Sequence, residues 1–241
     1  MMTMYETGDY LETNPDWHDE DGAWKAEQIA GMLQDHDIPL ATVADVGCGA
    51  GRVLKTLAPH LPPEARMFGF DVAPAAIALA KSHESPQLHF ETADFLADAH
   101  ETFDLVLLMD VFEHVPDYLG FLESLRGHGR HFMFHIPLDM NMLHVMMDHQ
   151  TKSRAQAGHL HYFSKSSALL TLEHAGYEVV DWRYTPVYKT AKARRSVLKR
   201  LIEGPRAIGG ALFPDFAVRL LGGCSVLALA RPRSAEPSLV A

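Results

Sequence analysis

Residues 45–51 (DVGCGAG) have the composition of a loop that binds a nucleotide cofactor. Gly47, Gly49 and Gly51 allow the backbone to adopt positive φ and let a ligand approach it with no Cβ in the way. If a helix begins directly after the loop, its free N–H groups and positive dipole end favour an anionic group there. The spacing is G-x-G-x-G, whereas the dinucleotide fingerprint is G-x-G-x-x-G, and Arg52 stands where the last glycine would be. The loop therefore predicts a cofactor site without identifying the cofactor.

Asp71 is the first of two acids that could complete such a site. It ends a short apolar stretch, residues 67–71 (MFGFD), about one βαβ step after the glycine loop. A carboxylate at that position can accept hydrogen bonds from two hydroxyls of a ribose. Its alternative role is to cap a helix at the end of its strand.

Asp94 and Phe95 form the second candidate pair. They end a predicted strand at residues 88–95 (LHFETADF), and a carboxylate next to an aromatic ring could bind and stack on an adenine. Glu91 and Asp98 are close enough in sequence to replace Asp94 if the strand ends elsewhere.

Histidine is the natural candidate for a general base, because its side chain titrates near neutrality. The chain has 15 histidines, so position must select among them. His114 follows an apolar stretch near the expected cofactor edge, and His159 and His161 alternate on a short extended run. A structural or solvent-facing histidine is the alternative for each. His159 and His161 could also be a pair of metal ligands, but no C-x-x-C or H-E-x-x-H motif accompanies them, and we predict no metal.

The elements that must position these residues follow from the pattern of apolar stretches. Residues 103–109 (FDLVLLM) are almost entirely apolar, as expected of a strand buried on both faces. The other predicted strands are residues 42–44, 67–71, 88–95, 131–136 and 177–184. Helices are predicted at residues 21–33, 52–60 and 165–175. This alternation is typical of an open α/β sheet, in which ligands bind beyond the carboxyl ends of the strands.

The order of these motifs resembles the class I methyltransferases that use S-adenosylmethionine, specifically the small-molecule branch that includes the ubiquinone-biosynthesis O-methyltransferases. The resemblance covers roughly residues 42–185 and includes an E-H-V run at residues 113–115 and a G-H-L-H-Y-F-S run at residues 158–164. In that family the glycine loop holds the methionine end of the cofactor, the acid ending the second strand holds the ribose, and an Asp followed by a hydrophobic residue meets the adenine.

The resemblance implies a set of cofactor-binding residues. Asp45 is expected to fix the glycine loop through its backbone N–H groups and to approach the cofactor ammonium, and Cys48 to be a small residue in a tight turn. The full predicted set for S-adenosylmethionine is Asp45, Gly47, Cys48, Gly49, Gly51, Asp71, Val72, Asp94, Phe95, Met109 and Asp110.

The resemblance also implies the fold: an α/β, Rossmann-like, seven-stranded and mostly parallel sheet with helices on both faces. Its last strand, at residues 224–230, is expected to be antiparallel and to follow a helical insert. We predict a single domain over residues 1–231, with an N-terminal helical cap at 1–40, acceptor-side inserts at 138–160 and 186–223, and a flexible tail at 232–241. Met140, Met142, Met146 and Met147 could line an adaptable acceptor pocket, although ordinary helix packing is the alternative.

Charge and composition limit the kinds of partner that this protein could bind. The net charge of −10 disfavours a protein that coats nucleic acid, because phosphates require a concentrated basic face. Residues 189–206 nevertheless hold seven Lys or Arg and one Glu, so the remainder of the chain carries −16. This segment is either a solvated helix surface or a dock for an anionic partner: a membrane surface, a phosphorylated or nucleotide-linked substrate, or an acidic protein.

The cellular setting is expected to be the cytoplasm. Two cysteines provide no disulfide framework, and residues 1–16 carry acids and no apolar signal region. The longest apolar stretch, residues 220–230, is interrupted by glycines and too short to span a bilayer.

These observations lead to one expected function and two alternatives. We expect an S-adenosylmethionine-dependent methyltransferase that acts on a small molecule, with O-methylation favoured over N- or C-methylation. The acceptor could be a phenolic metabolite, or a lipid-linked or nucleotide-linked sugar. The alternatives are a nicotinamide-dependent oxidoreductase and a protein that binds S-adenosylmethionine without turnover.

Overall fold

A seven-stranded sheet runs through the molecule in the order β3-β2-β1-β4-β5-β7-β6. The computed structural model describes residues 19–97, 102–187 and 197–233. β1 to β5 are parallel to their neighbours, and β7 is antiparallel to both β5 and β6. The strands are β1 Thr42–Val46, β2 Arg66–Asp71, β3 Leu88–Thr92, β4 Phe103–Met109, β5 Gly129–Pro137, β6 Tyr177–Thr185 and β7 Ser225–Pro232. The predicted fold class, including the antiparallel last strand, is confirmed.

Helices cover both faces of the sheet because the central strands are apolar on both sides. In β4, Leu105 and Leu107 belong to one buried cluster and Val106 and Leu108 to the other, as alternate residues of a strand should. The first cluster also contains residues of α1 to α3, and the second contains residues of α4 and α7. The helices are α1 Asp19–Leu33, α2 Arg52–Leu57, α3 Pro74–Ala80, α4 Tyr118–Leu125, α5 Met142–Met146, α6 His149–Ala157, α7 Lys165–His174, α8 Val197–Leu212 and α9 Pro214–Leu221.

The strand order reverses at β1. β1 pairs with β2 on one side and with β4 on the other. The chain therefore adds β2 and β3 on one side of β1, and then β4 and β5 on its other side. Such a reversal opens a crevice at the carboxyl ends of the strands. The glycine loop follows β1 and Asp110 follows β4, so both lie at this crevice.

Two predicted element boundaries need correction. β3 ends at Thr92 and not at Phe95, because its ladder with β2 ends where Asp71 is paired with Thr92. Asp94 and Phe95 therefore lie on a loop beyond the strand. β1 continues to Val46, two residues further than expected, because it stays paired with β2 up to Phe70.

Both predicted insert regions contain helices. α5 and α6 follow β5, and α8 and α9 precede β7. The four methionines at 140, 142, 146 and 147 are 49–79% exposed, and none of them lines either of the two cavities described below. The expectation that they form an acceptor pocket is therefore wrong: within the described chain they lie on the surface.

Several predictions concern residues outside the described ranges. These are the N-terminal residues 1–18, Asp98, residues 189–196 of the basic segment at 189–206, and the tail from 234 onward. Within the described residues, no helix combines the length and apolar composition needed to cross a membrane.

Candidate active site

The glycine loop requires glycine for two reasons. Gly47, Gly49 and Gly51 all have positive φ, at 74°, 54° and 80°. A Cβ on Gly51 would lie 2.6 Å from Cζ of Phe90, and one on Gly47 would lie 2.9 Å from Cγ2 of Val111. Backbone conformation and close packing thus both exclude a larger residue at these two positions.

Asp71 holds the glycine loop to the end of β2. Its Oδ2 accepts a hydrogen bond from Gly49 N at 2.9 Å, and its Oδ1 accepts one from Ala73 N at 2.9 Å. Burial raises the pKa of Asp71, although the backbone N–H groups that bind the carboxylate act against this shift. Ala73 is the N-cap residue of α3, so Asp71 also supports the start of that helix. The carboxylate keeps further lone pairs for a ligand, since each oxygen accepts a single bond from these backbone groups.

Asp45 does not fix the loop as expected. The N–H groups of Gly47 and Cys48 donate to the carbonyl of Phe70, at 2.8 and 3.0 Å. Asp45 is 1% exposed, and neither of its carboxylate oxygens has a hydrogen-bond partner among the described residues. Burial raises the pKa of Asp45 to about 8, and the charge of Lys25 only partly opposes this. Asp45 is thus a buried acid without a bonded partner close to the loop.

Cys48 fits the role of a small residue in a tight turn. It is buried, and a Cβ on Gly69 of the neighbouring strand would lie 2.9 Å from its Sγ. Burial raises the pKa of the thiol well above its usual range, so the reactive thiolate is disfavoured.

A cavity of about 520 Å³ lies at the strand-order reversal, and we call it the glycine-loop cavity. Asp45, Cys48 and Gly51 do not line it, whereas eight of the eleven predicted cofactor residues do. Those eight are Gly47, Gly49, Asp71, Val72, Asp94, Phe95, Met109 and Asp110. Residues that sequence reasoning did not predict also line it, among them Asp21 and Lys25 of α1 and Phe121 of α4.

Asp94 and Phe95 contribute to the wall of this cavity. Phe95 is 3% exposed, and its ring centroid lies 5.2 Å from that of Phe70. Asp94 is exposed, and its Oδ1 accepts a hydrogen bond from Leu96 N at 3.1 Å. This local bond turns the chain at the end of β3 and orders the carboxylate next to the aromatic pair.

A partly buried network of charged and polar side chains lies at the end of β4. Asp110 has a left-handed backbone, with φ of 62°, and its Oδ2 lies 2.7 Å from Nζ of Lys25. Its Oδ1 lies 2.6 Å from Nδ1 of His135, and Nε2 of the same imidazole lies 2.9 Å from Oγ1 of Thr185. His135 and Lys25 together hold the pKa of Asp110 well below its usual range, despite burial. Lys25 and His135 were missed because they are far from Asp110 in the sequence and belong to no local motif.

A second cavity of about 310 Å³ lies at the end of β5, and we call it the insert cavity. It shares Asp21, Lys25, Asp110 and His159 with the glycine-loop cavity, so the two adjoin. Its remaining polar lining comes mainly from β5 and the insert that follows: His135, Asp139, His144, His149 and Ser153.

His159 stands at the boundary between the two cavities. Its Nδ1 lies 2.9 Å from Oδ2 of Asp139 and 3.0 Å from Oγ of Ser153. The nearby imidazoles of His144 and His159 keep the pKa of Asp139 well below its usual range, despite burial. A carboxylate at Nδ1 fixes the tautomer with the proton on that nitrogen and leaves the lone pair on Nε2.

His114 lies beside His159 on the side of the glycine-loop cavity. The two ring centroids are 4.9 Å apart with an edge-to-face arrangement. The preceding Glu113 is fully buried, and burial raises its pKa well above the usual range. Its carbonyl accepts hydrogen bonds from the N–H groups of Leu160 and His161, at 2.8 and 3.1 Å. The E-H-V run and the G-H-L-H-Y-F-S run are therefore joined through the backbone.

His161 lines neither cavity within the described chain. Its Nε2 lies 3.0 Å from the carbonyl of Val115 and donates to it, and its ring centroid is 4.4 Å from that of Tyr118. Its alternation with His159 places the two side chains on opposite sides of the run. The structure thus gives His161 a supporting position in place of the predicted position at the reacting groups.

The prediction of no metal considered only His159 paired with His161. The fold instead brings together two other sets of ligand atoms, each within 4.8 Å of one another. One set is Glu113, His114 and His159, and the other is Asp139, His144 and His149. Neither set forms a contiguous motif, so the absence of C-x-x-C or H-E-x-x-H does not exclude them.

Comparison with known proteins adds independent findings. A family model described as a methyltransferase domain matches residues 14–181. The chain is 41% identical over 110 residues to the ubiquinone biosynthesis O-methyltransferase of Cereibacter sphaeroides, a match that covers 42% of this chain and 43% of that relative. The chain thus spans less than half the length of this curated relative.

Solved structures share the fold at low sequence identity. Magnesium protoporphyrin IX methyltransferase from Synechocystis PCC 6803, with bound SAH, has a TM-score of 0.57 at 17% identity, covering 88% of this chain and 83% of that chain. Mitomycin 7-O-methyltransferase has a TM-score of 0.57 at 14% identity, covering 87% of this chain and 53% of that chain.

Proposed function

The chain belongs to the methyltransferase domain family, and from this premise we propose that it transfers a methyl group from S-adenosylmethionine to a hydroxyl of a small molecule. One observation carries this proposal: the cavity at the strand-order reversal adjoins the insert cavity, and a carboxylate-bound histidine stands where they meet. This arrangement suits two reactants that must be brought together in a fixed orientation.

The residues around the glycine-loop cavity fit the cofactor. The loop presents backbone without Cβ atoms, and Asp71 stands beside it with lone pairs to accept ribose hydroxyls. Asp94 and Phe95, which also line this cavity, suit an adenine. Buried Asp45, which has no hydrogen-bond partner among the described residues, suits the neighbourhood of the cofactor ammonium. When bound, S-adenosylmethionine supplies an electrophilic methyl group on a sulfonium sulfur.

The protein is then required to orient the acceptor, exclude water and remove a proton. We propose that Nε2 of His159 accepts the proton of the acceptor hydroxyl, because Asp139 bonds to Nδ1 and thereby fixes the tautomer. Ser153 contacts both members of this pair and restricts their movement. Asp21 and Lys25 of α1 line both cavities, so this helix contributes to the enclosure that excludes water. His114 is the neighbouring ring and would orient His159.

Calorimetry with S-adenosylmethionine and S-adenosylhomocysteine tests the cofactor assignment. We expect micromolar binding by the parent and by the exposed-site control Asp37→Ala, and strongly weakened binding by Asp71→Ala. A folded parent that binds neither compound would contradict the proposal, and binding of a nicotinamide dinucleotide in the same titration would favour an oxidoreductase.

Transfer itself is tested with methyl-labelled S-adenosylmethionine and a panel of acceptors. The panel should contain hydroxylated aromatics, hydroxy acids, and lipid- and nucleotide-linked sugars, with thiol and amine analogues as comparisons. Label on a hydroxyl oxygen supports the proposal. Tight cofactor binding with no transfer to any acceptor class would favour a binding protein without turnover.

We further propose that the basic segment at 189–206 and the adjoining helices contact an anionic membrane surface. Ile208 and Leu212 of α8, Phe216 of α9 and Phe213 between the two helices are 66–69% exposed, and in the sequence they directly follow the basic segment. That combination suits an interfacial helix. Sedimentation with phosphatidylglycerol vesicles should capture the parent, and pure phosphatidylcholine should capture less. The variant Phe213→Ser/Phe216→Ser should lose this binding, whereas Leu170→Ser, also exposed, should not.

We also propose the extent of the domain and the cellular location of the protein. A single domain over residues 1–231 is supported by the continuous sheet that includes β6 and β7. A cytoplasmic location is supported by Cys48 and Cys224, which do not form a disulfide with one another. Limited proteolysis tests the first proposal, because a single domain should resist cleavage between β5 and β7 until it unfolds. Localisation of the tagged chain by cell fractionation tests the second.

A further inference from the structure

Asp139, His144 and His149 lie on one wall of the insert cavity. Each offers a ligand atom, and these atoms lie within 4.8 Å of one another. We propose that the three side chains form a binding site for one divalent transition-metal ion of the zinc type. Binding of the ion goes beyond the methyl transfer proposed above and does not depend on it.

The local structure fixes the three ligands independently of an ion. Asp139 follows β5 directly, and Gln150 donates its side-chain N–H to the Asp139 carbonyl at 3.2 Å. Asn141 caps α5 by accepting a hydrogen bond from the N–H of His144 at 3.0 Å. His149 is the first residue of α6, which follows α5 after a two-residue connection. Such preorganisation limits the ordering cost of binding an ion.

The histidine geometry is better explained by a cation than by the protein groups alone. Nδ1 of His144 is buried and makes no hydrogen bond with a described residue, and its distance from Oδ1 of Asp139 is 3.5 Å. The ring centroid of His149 lies only 4.0 Å from that of His144. A buried ring nitrogen without a partner costs free energy, and coordination would satisfy it.

The two oxygens of Asp139 have separate partners. Oδ2 lies next to His159 and Ser153, at 2.9 and 3.4 Å, whereas Oδ1 faces His144. The carboxylate can therefore bind an ion through Oδ1 and still hold His159 through Oδ2. The Asp139 carboxylate would then connect the ion to His159, the proposed base.

The ligand types select the class of ion. Two imidazole nitrogens and one carboxylate oxygen suit zinc, cobalt or iron, whereas magnesium and calcium prefer sites made of oxygen alone. Three protein ligands leave at least one position open towards the cavity. If the proposed methyl transfer is correct, that position would bind an acceptor oxygen next to the one that is methylated, which points to acceptors with two neighbouring oxygens.

The alternative set, Glu113, His114 and His159, is less suited. Glu113 is fully buried, so an entering ion has no access through it, whereas Asp139, His144 and His149 are all partly exposed. An ion there would also occupy the lone pair of His159 that the proposed reaction uses. Single substitutions distinguish the two sets, because each substitution removes a ligand from only one of them.

The test is metal binding by tag-free protein in the absence of cofactor and acceptor. Zinc is titrated by calorimetry, and cobalt by its ligand-field absorption, on the parent, His144→Gln and His149→Gln. The controls are His114→Gln, from the alternative set, and His60→Gln, which is exposed and outside both sets. We expect one ion per chain in the parent and both controls, and at least ~10-fold weaker binding in each of the two test variants.

Two results would overturn the proposal. The first is a parent that binds neither zinc nor cobalt. The second is affinity lost in His114→Gln but kept in His144→Gln, which assigns the ion to the other set. Thermal unfolding of each variant without metal identifies misfolding, and an unfolded variant is replaced by the alanine substitution at the same position. Because no cofactor is present, failure of methyl transfer cannot be confused with failure of metal binding.

Discussion

The glycine-loop cavity and the insert cavity adjoin but are constructed differently. The first is lined mainly by the connections that directly follow β1 to β4, and the glycine loop on its wall is held by backbone N–H groups, such as that of Gly49 on Asp71. The second is built by side chains from β5, two insert helices and the run around His159. Backbone geometry thus fixes the half of the site that we propose for the cofactor (the cofactor half), whereas a side-chain network forms the half that we propose for the acceptor (the acceptor half).

Electrostatics separates the two halves in the same way. Near the glycine loop, burial raises the pKa of Asp45 and Asp71. Around the insert cavity, imidazoles and an ammonium group lower the pKa of Asp110 and Asp139. The two acids nearest the glycine loop thus lack cationic hydrogen-bond partners, which suits a cationic cofactor. Asp110, which lines both cavities, and Asp139 in the insert cavity are already paired with bases, and at Asp139 this pairing suits proton removal.

The largest effect is expected at the boundary between the halves. His159→Gln removes the proposed proton acceptor and should lower kcat by about 10²–10⁴-fold, while the cofactor Kd stays within a few-fold of the parent. His161→Gln is the matched control, because His161 only donates to a backbone carbonyl and should affect kcat much less. Labelled methyl transfer and calorimetry measure the two quantities. Equal losses in both variants would refute the separation of roles.

A smaller effect is expected when the cofactor half is changed. Asp71→Asn keeps the size of the side chain but removes its charge, and the amide nitrogen would face a backbone N–H. We expect the Kd for S-adenosylhomocysteine to rise about 10–100-fold, since hydrogen bonds to a charged group contribute about 1.5–3 kcal/mol. Calorimetry measures this change. Asp37→Asn, at an exposed site, should leave the Kd unchanged.

Backbone geometry in the cofactor half can be tested without any ligand. Gly51→Ala forces a Cβ against Phe90 at a φ of 80° and should lower the free energy of unfolding by about 1–3 kcal/mol. Gly31→Ala is the matched control. A Cβ at Gly31 meets nothing within 4 Å inside α1, so alanine should raise stability by up to about 1 kcal/mol. Urea unfolding measures both, and a stable Gly51→Ala would refute the packing argument.

The same contrast explains what could be predicted from the sequence. The glycine loop, the apolar strand β4 and Asp71 follow from local composition and spacing, because strand, turn and helix start are contiguous there. The Asp110–Lys25–His135 network could not be predicted, since its members come from β4, α1 and β5 and meet only through the fold. Spacing selected His159 and His161 equally, and only tertiary contacts distinguish them.

The last prediction concerns the acids of the cofactor half and has the smallest effect per pH unit. Asp45 holds its proton up to a pKa of about 8 in the folded protein, whereas an unfolded Asp releases it near its ordinary value of 3.8. Between these values the folded state binds the extra proton, so stability falls as the pH rises, by at most about 1.4 kcal/mol per pH unit. Asp110 and Asp139 have lowered pKa values, so their stabilisation is complete above pH 4 and lost only in acid. They add no slope between pH 6 and 7.

Asp45→Asn isolates this contribution. Urea unfolding at pH 6.0, 6.5 and 7.0 should show a shallower loss of stability in the variant than in the parent, and the exposed control Asp37→Asn should keep the parent slope. Some slope should remain in Asp45→Asn, because burial also raises the pKa of Glu113 and Asp71. Identical slopes in all three proteins would mean that Asp45 is ionised in the folded state, and that the glycine-loop half does stabilise a buried negative charge without its cofactor.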